Sequence, residues 1–165
     1  MSDNDVTIRT AAPADFDAIV AIAAREFKAV SVDAMIETML GGVAWIQIKG
    51  ASLRHELTAN PNGCFVAVTN DNVVGYVTTS VNPTASRGVI LNLAVSSACR
   101  GKGIGRQMVQ RALDYFRSQG LHHAKIETLV NNEAGQHLYT SFGFREVARQ
   151  IHYAMPLNFR QAPKI

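Results

Sequence analysis

The sequence predicts an α/β (α+β) fold, a mixed sheet flanked by helices, on three observations. Residues 64–69 and 73–81 are rich in strand formers and are joined by Asn70-Asp71-Asn72, which is turn chemistry, so they read as a hairpin. Val89 to Val95 is almost wholly apolar, as expected of a strand buried on both faces. A glycine-rich loop follows it, and from Ile104 the apolar spacing of Met108, Val109, Ala112, Leu113 and Phe116 is helical.

The other elements fall around these. Val6 to Arg9 reads as a short strand, and Ala12-Pro13-Ala14-Asp15 opens a helix with Pro early and Asp in the first turn. Phe16, Ile19, Val20, Ala23 and Phe27 give that helix its apolar stripe. Val32 to Leu40 is a second helix, stopped at Gly41-Gly42, and residues 51–59 are weakly helical before Pro61. Pro83 and Gly88 bracket a loop, Gly120 caps the long helix, and Ala124 to Val130 is a strand. Asn131 or Asn132 caps a short helix ending near Phe142-Gly143, and Phe144–Ala148 with His152–Leu157 read as a closing strand pair. Without repeat, low-complexity stretch or linker, residues 1–165 read as one domain.

Composition narrows the partners. No apolar run approaches the roughly 18–20 residues of a membrane span, and the polar N-terminus lacks signal-peptide character, so a cytoplasmic protein with no membrane partner is expected. Cys64 and Cys99 are too few for a disulfide framework and have no metal-ligand spacing; His122-His123 in a turn makes a poor metal site, so no metal is expected. The net charge is +3, but the basic residues are dispersed rather than striped, so no nucleic-acid partner is expected. A homodimer is compatible with all of this.

The compact basic group is Arg100, Lys102 and Arg106, interleaved with Gly101, Gly103, Ile104 and Gly105. Glycines let a backbone approach a ligand closely, and the first amides of a helix lack intrahelical partners and carry the positive end of its dipole. Such a site binds phosphate. The spacing is neither that of a nucleoside-triphosphate loop nor that of a dinucleotide fingerprint.

Arg-Gly-x-Gly-x-Gly after Leu93-Ala94-Val95 resembles the acyl-CoA signature of the GNAT superfamily of N-acetyltransferases. The run Asn132 to Tyr139, followed by Ser141-Phe142-Gly143-Phe144, is similar to the family's second signature, and the element order matches across essentially the whole chain. The resemblance implies a mostly antiparallel sheet whose central parallel strand pair splays apart to admit the pantetheine arm. It implies that Leu93, Ala94 and Val95 offer backbone hydrogen bonds to that arm. The amides from Gly101 through Arg106 would then hold the pyrophosphate, and Asn132 would reach the cofactor.

The activity so implied is transfer of an acetyl group from acetyl-CoA to a primary amine by direct attack. Tyr139 is the expected proton donor to the leaving thiolate: phenol and thiol have reference pKa values near 10 and 8.5, so the transfer is only about 2 kcal/mol uphill. The base is less defined, because the strand before the loop carries Asn92 where family members often have a carboxylate, and Asn accepts no proton. Glu127 is the first candidate, directly or through water, with Glu26 and His55 as alternatives. The acceptor is left open between a peptide or protein amine and a small metabolite amine. A non-catalytic acyl-CoA-binding module is the competing reading; it would keep the glycine loop but has little reason to keep Tyr139.

Overall fold

The computed structural model describes residues 6–157. In chain order the elements are β1 (Thr7–Thr10), α1 (Phe16–Glu26), α2 (Val32–Leu40), α3 (Trp45–Ala59), β2 (Phe65–Thr69), β3 (Asn72–Asn82), β4 (Arg87–Val95), α4 (Ile104–Ser118), β5 (His123–Ile126) and α5 (Glu133–Ser141). The strands form one sheet in the order β1-β2-β3-β4-β5. Neighbours are antiparallel except β4 and β5, which are parallel. This is the mixed, mostly antiparallel sheet that the resemblance implies.

Local chemistry explains the turns. Asn70 and Asp71 take φ values of 47° and 59°, the left-handed conformation of a tight hairpin turn that Asn and Asp tolerate. The Asp15 carboxylate accepts the Ala12 N–H at 2.7 Å and two bonds from the Arg9 guanidinium at 2.6 and 2.8 Å, tying β1 to the start of α1. Ser31 Oγ accepts the Ala34 N–H at 3.3 Å and caps α2.

The alternation of β3 sorts the layers. A side chain at Gly75 would come within 3.1 Å of Met108 Sδ on α4, so that face belongs to α4. The neighbouring Tyr76 turns the other way, its ring 6.4 Å from that of Phe27, and Thr78 donates from Oγ1 to the Glu56 carboxylate of α3. Helix α4 therefore covers one face, and α1 with α3 covers the other. The core between them includes Ile19, Ile22, Leu53, Phe65, Val77, Ile90, Met108 and Val109.

Three expectations change. The weakly read third helix begins at Trp45, six residues before residue 51. Strand β5 ends at Ile126 rather than Val130. The expected closing strands do not form: residues 144–157 pair with no strand among the described residues, and most of their side chains are exposed. The parallel pair consequently lies at one end of the described sheet.

Candidate active site

The site begins at a defect in β4. Its register with β3 slips between Thr78↔Asn92 and Thr79↔Ile90, leaving Leu91 as an extra, unpaired residue. The parallel ladder to β5 ends at the same level, with Ile90↔Ile126 as its last pair. Beyond it the two strands part. Leu93, Ala94 and Val95 thus have β3 on one side and an open gap, where a β5 neighbour would be, on the other. The bulge and the split together make a V whose inner wall is unpaired β4 backbone.

The gap leads into the glycine loop. Gly101 and Gly103 have φ values of 79° and 75°, and a Cβ at either would meet nothing within 4 Å, so the loop is an open cradle. Gly103 is the N-cap of α4 and supplies no side-chain cap. The first α4 bond runs from the Gln107 N–H to the Gly103 carbonyl at 3.0 Å, which leaves the amides of Ile104, Gly105 and Arg106 for an outside acceptor. At Gly105 a Cβ would lie 3.4 Å from Leu138 Cδ2, ordinary contact distance, so α5 packs close to the mouth of α4 there.

The predicted cations do not act alike. Lys102 is exposed on the loop. Arg100 forms an ion pair with Glu26, whose carboxylate also accepts the Ser97 N–H at 3.0 Å. Arg106 stacks its guanidinium 4.6 Å from the centre of the Phe142 ring and donates to Ser141 Oγ at 2.9 Å. Of the alternative bases, Glu26 is therefore engaged in holding the loop, and His55 is exposed on α3.

Helix α5 brings Asn132 and Tyr139 to the same end of the sheet. Asn132 caps the helix, accepting the Gly135 N–H at 3.1 Å and donating to Thr128 Oγ1 at 2.9 Å. A Cβ at Gly135 would stand 2.6 Å from Asn132 Nδ2, so a larger residue there would displace the capping amide. Tyr139 is buried, with its ring edge-on to Phe144 at 6.3 Å. Burial alone pushes its phenol above the ordinary tyrosine range. The hydroxyl has no hydrogen-bond partner among the described residues.

Glu127 lies just past the end of β5, at the split. Its side chain is 66% exposed and pairs with Lys125 at 2.6 Å. Asn131 Nδ2 donates to the Ala29 carbonyl at 3.2 Å and ties this loop to the junction of α1 and α2. Beside that junction a cavity of about 740 Å³ opens between α2 and α3, lined by Lys28, Met35, Thr38, Met39 and Trp45 among others.

Sequence reasoning missed the buried polar cluster behind the bulge. Asn92 Nδ2 donates to the Glu56 carboxylate at 2.7 Å and to Thr78 Oγ1 at 2.9 Å, and Asn92 Oδ1 accepts from Lys49. Lys49 also sits 4.7 Å from the centre of the Phe27 ring, and burial holds its amine below the usual lysine range. The signal was present: Lys49, Leu53 and Glu56 share one helical face, and only the weak periodicity of α3 concealed it. The Tyr76 hydroxyl is buried in this layer without a partner; burial, with the Glu56 charge second, drives it strongly upward.

Comparison with known proteins agrees with this geometry. The sequence pattern of the Acetyltransferase (GNAT) family matches residues 22–144. The N-alpha-acetyltransferase 30 of Schizosaccharomyces pombe is 34% identical over 96 residues, covering 56% of this chain and 64% of that protein. The N-acetylaspartate synthetase of Rattus norvegicus is 33% identical over 97 residues, covering 58% of this chain and 32% of that protein. The chain thus spans less than two thirds of the length of either relative. Among solved structures, the PaiA N-acetyltransferase of Thermoplasma acidophilum in complex with coenzyme A superposes with a TM-score of 0.72 at 18% identity, over 86% of this chain and 90% of that one. The NatC complex bound to Gag peptide and CoA gives 0.69 at 23% identity, over 92% of this chain and 91% of that one. At these identities the structural matches speak for the fold alone.

Proposed function

Since the chain belongs to the GNAT acetyltransferase family, we propose that it transfers an acetyl group from acetyl-CoA to a primary amine, and that residues 1–165 act as one N-acetyltransferase domain. The observation that carries this reading is the coincidence of three things at one end of the sheet. These are the β4–β5 split, the open glycine cradle at the mouth of α4, and Tyr139 on α5, the helix whose Leu138 packs at that mouth. A thioester on a long amide-bearing arm needs all three: backbone to pair with, amides for its pyrophosphate, and a proton for its sulfur.

In this reading Leu93, Ala94 and Val95 bind the pantetheine amides through their backbone. The amides from Gly101 to Arg106, with the cations of Arg100, Lys102 and Arg106, hold the phosphates. Asn132 reaches the arm from the cap of α5. The neutral amine attacks the thioester carbonyl carbon; the C–N bond forms and the C–S bond breaks. The amine gives up its proton to Glu127, directly or through water, which its exposure permits. The thiolate takes the phenolic proton of Tyr139, and solvent restores it. No acyl-enzyme is formed, and no step calls on a metal.

For the acceptor, the names of the relatives support a protein N-terminal amine or the α-amine of a small metabolite. Two unpaired cysteines, one of them buried, support a reducing cytoplasmic location. Among the described residues no helix is long and apolar enough to cross a membrane. The test is CoA thiol release with a panel of peptides and small amines, alongside calorimetric titration with CoA. Release with at least one amine class is expected. Tight CoA binding with no release across the panel would favour the non-catalytic module instead.

A further inference from the structure

Acetyl transfer to an added amine leaves one buried nucleophile of the chain unused. Lys49 lies on α3 with its side chain turned toward the sheet, where its Nζ donates to Asn92 Oδ1. The amine stands 4.7 Å from the centre of the Phe27 ring. One turn earlier on the same helix, Trp45 is buried and lines the cavity between α2 and α3. Burial lowers the Lys49 pKa, against the charges of Glu56 and Asp33, which raise it. A larger share of the amine is therefore unprotonated, and only that form is a nucleophile. Of the other described lysines, Lys28 and Lys102 are exposed, and Lys125 pairs with Glu127 at 2.6 Å.

Asn92 fixes where this amine stands along the cleft. The last pair of the parallel ladder is Ile90↔Ile126, so Asn92 is at the vertex of the split, beside the Leu91 bulge. Its side chain is on the α3 face, bonded to Glu56 and Thr78. The glycine cradle is at the open end, beyond Val95. An arm with its phosphates in that cradle runs inward past Val95 and Ala94 to Leu93, and its thioester end arrives next to Asn92. Helix α4 covers the opposite face of the sheet, so Lys49 is on the side where the α2–α3 cavity gives an amine room to approach.

We propose that Lys49 is itself an acceptor, acetylated by the acetyl-CoA bound to its own chain. The proposal rests on the acetyl-transfer reading above. The unprotonated Nζ attacks the thioester carbonyl carbon; the C–N bond forms and the C–S bond breaks. The thiolate takes the Tyr139 proton, and the proton lost by the nitrogen returns through solvent to the phenolate. The product amide keeps one N–H for Asn92 Oδ1, so the buried layer retains that bond while losing the lysine's charge. Nucleophile and thioester held in one chain react without a bimolecular encounter, which favours Lys49 over lysines in open solvent.

The test is incubation of the full chain with acetyl-CoA and no added amine, followed by cleavage after glutamate and mass spectrometry of the peptides. Acetylation of Lys49 is expected to lead that of Lys28, Lys102 and Lys125 by about tenfold or more, at a rate independent of protein concentration. An unmodified Lys49, labelling no faster than at the exposed lysines, or a rate that rises with protein concentration overturns the proposal. Tyr139→Phe is expected to slow the Lys49 reaction about a hundredfold; an unchanged rate marks uncatalysed chemistry and overturns it as well. Lys49→Arg keeps a cationic donor for Asn92 and is expected to abolish the acetyl gain in that peptide. Thiol release with the amine panel separates the two readings. Release with an added amine beside an unmodified Lys49 refutes self-acetylation alone, whereas neither CoA binding nor release refutes acetyl transfer and self-acetylation together.

Discussion

Replacing Tyr139 with Phe separates chemistry from packing more cleanly than any other change in this site. The ring is buried against Phe144, and Phe retains that contact. The hydroxyl gives up no hydrogen bond, since it has no partner among the described residues. Folding stability is therefore expected to stay within about 0.5 kcal/mol of the parent. The effect on turnover follows from the proton. Removing a general acid costs about 10² to 10⁴ in rate, or roughly 3–5 kcal/mol of transition-state stabilisation. The raised phenol pKa bears on this in two ways. It keeps the group protonated at any working pH, and it makes the donation more uphill than the reference values imply. The assay is thiol release at saturating acetyl-CoA with a verified amine, run beside thermal unfolding and CoA titration. Expected are a kcat lowered at least a hundredfold, an unchanged Tm and an unchanged CoA affinity. A kcat within twofold of the parent would refute the proton-donor role and leave Tyr139 as a packing residue.

Three further outcomes follow from the geometry. Gly103→Asp places an anion in the cradle and forces a side chain onto φ 75°, so CoA affinity by calorimetry should fall at least a hundredfold, with a stability cost of about 1–2 kcal/mol; retained affinity would remove the loop from the site. Gly88→Ala should be among the most destabilising changes in the sheet, by about 3 kcal/mol or more in denaturant unfolding, because the new methyl would fall within the Phe116 ring; a change under 1 kcal/mol would show that α4 can shift away. Asp15 is held below the usual carboxylate range, chiefly by its bonds from Arg9. Its contribution is thus complete above the unfolded carboxylate pKa of about 4 and fades as pH falls through the lower folded value. Asp15→Asn should flatten that part of the acid stability profile, and an identical acid slope in the variant would contradict the linkage.

Much of this architecture is legible in the sequence because it rests on short-range signals. The Asn70-Asp71 turn, the apolar run of β4 and the α4 stripe each specify their element locally, and Gly101 and Gly103 announce positive φ. What the sequence conceals is whatever depends on a distant neighbour. Gly88 reads as a loop residue, but it is a strand residue whose missing side chain admits Phe116. Gly135 reads as a motif position, but the Asn132 amide occupies the space of its Cβ. The closing strand pair expected over Phe144–Ala148 and His152–Leu157 is such a case, for residues 144–157 pair with no strand among the described residues.

Asn92 shows how such a distant neighbour alters the chemistry. From the sequence its amide reads as a departure from the family's pattern that puts a direct side-chain base on this strand in doubt. In the fold its amide bridges Glu56, Thr78 and Lys49, directly beside the Leu91 bulge where β4 leaves β5. A carboxylate at that position would face the Glu56 charge in a buried layer, and like charges there disfavour ionisation of both. An amide satisfies the carboxylate and the lysine at once, donating to one and accepting from the other. The same residue that cannot take a proton thus holds the backbone irregularity that opens the cleft. Under the proposed mechanism the amine's proton goes instead to the exposed side of the split, where the Glu127 side chain is 66% exposed.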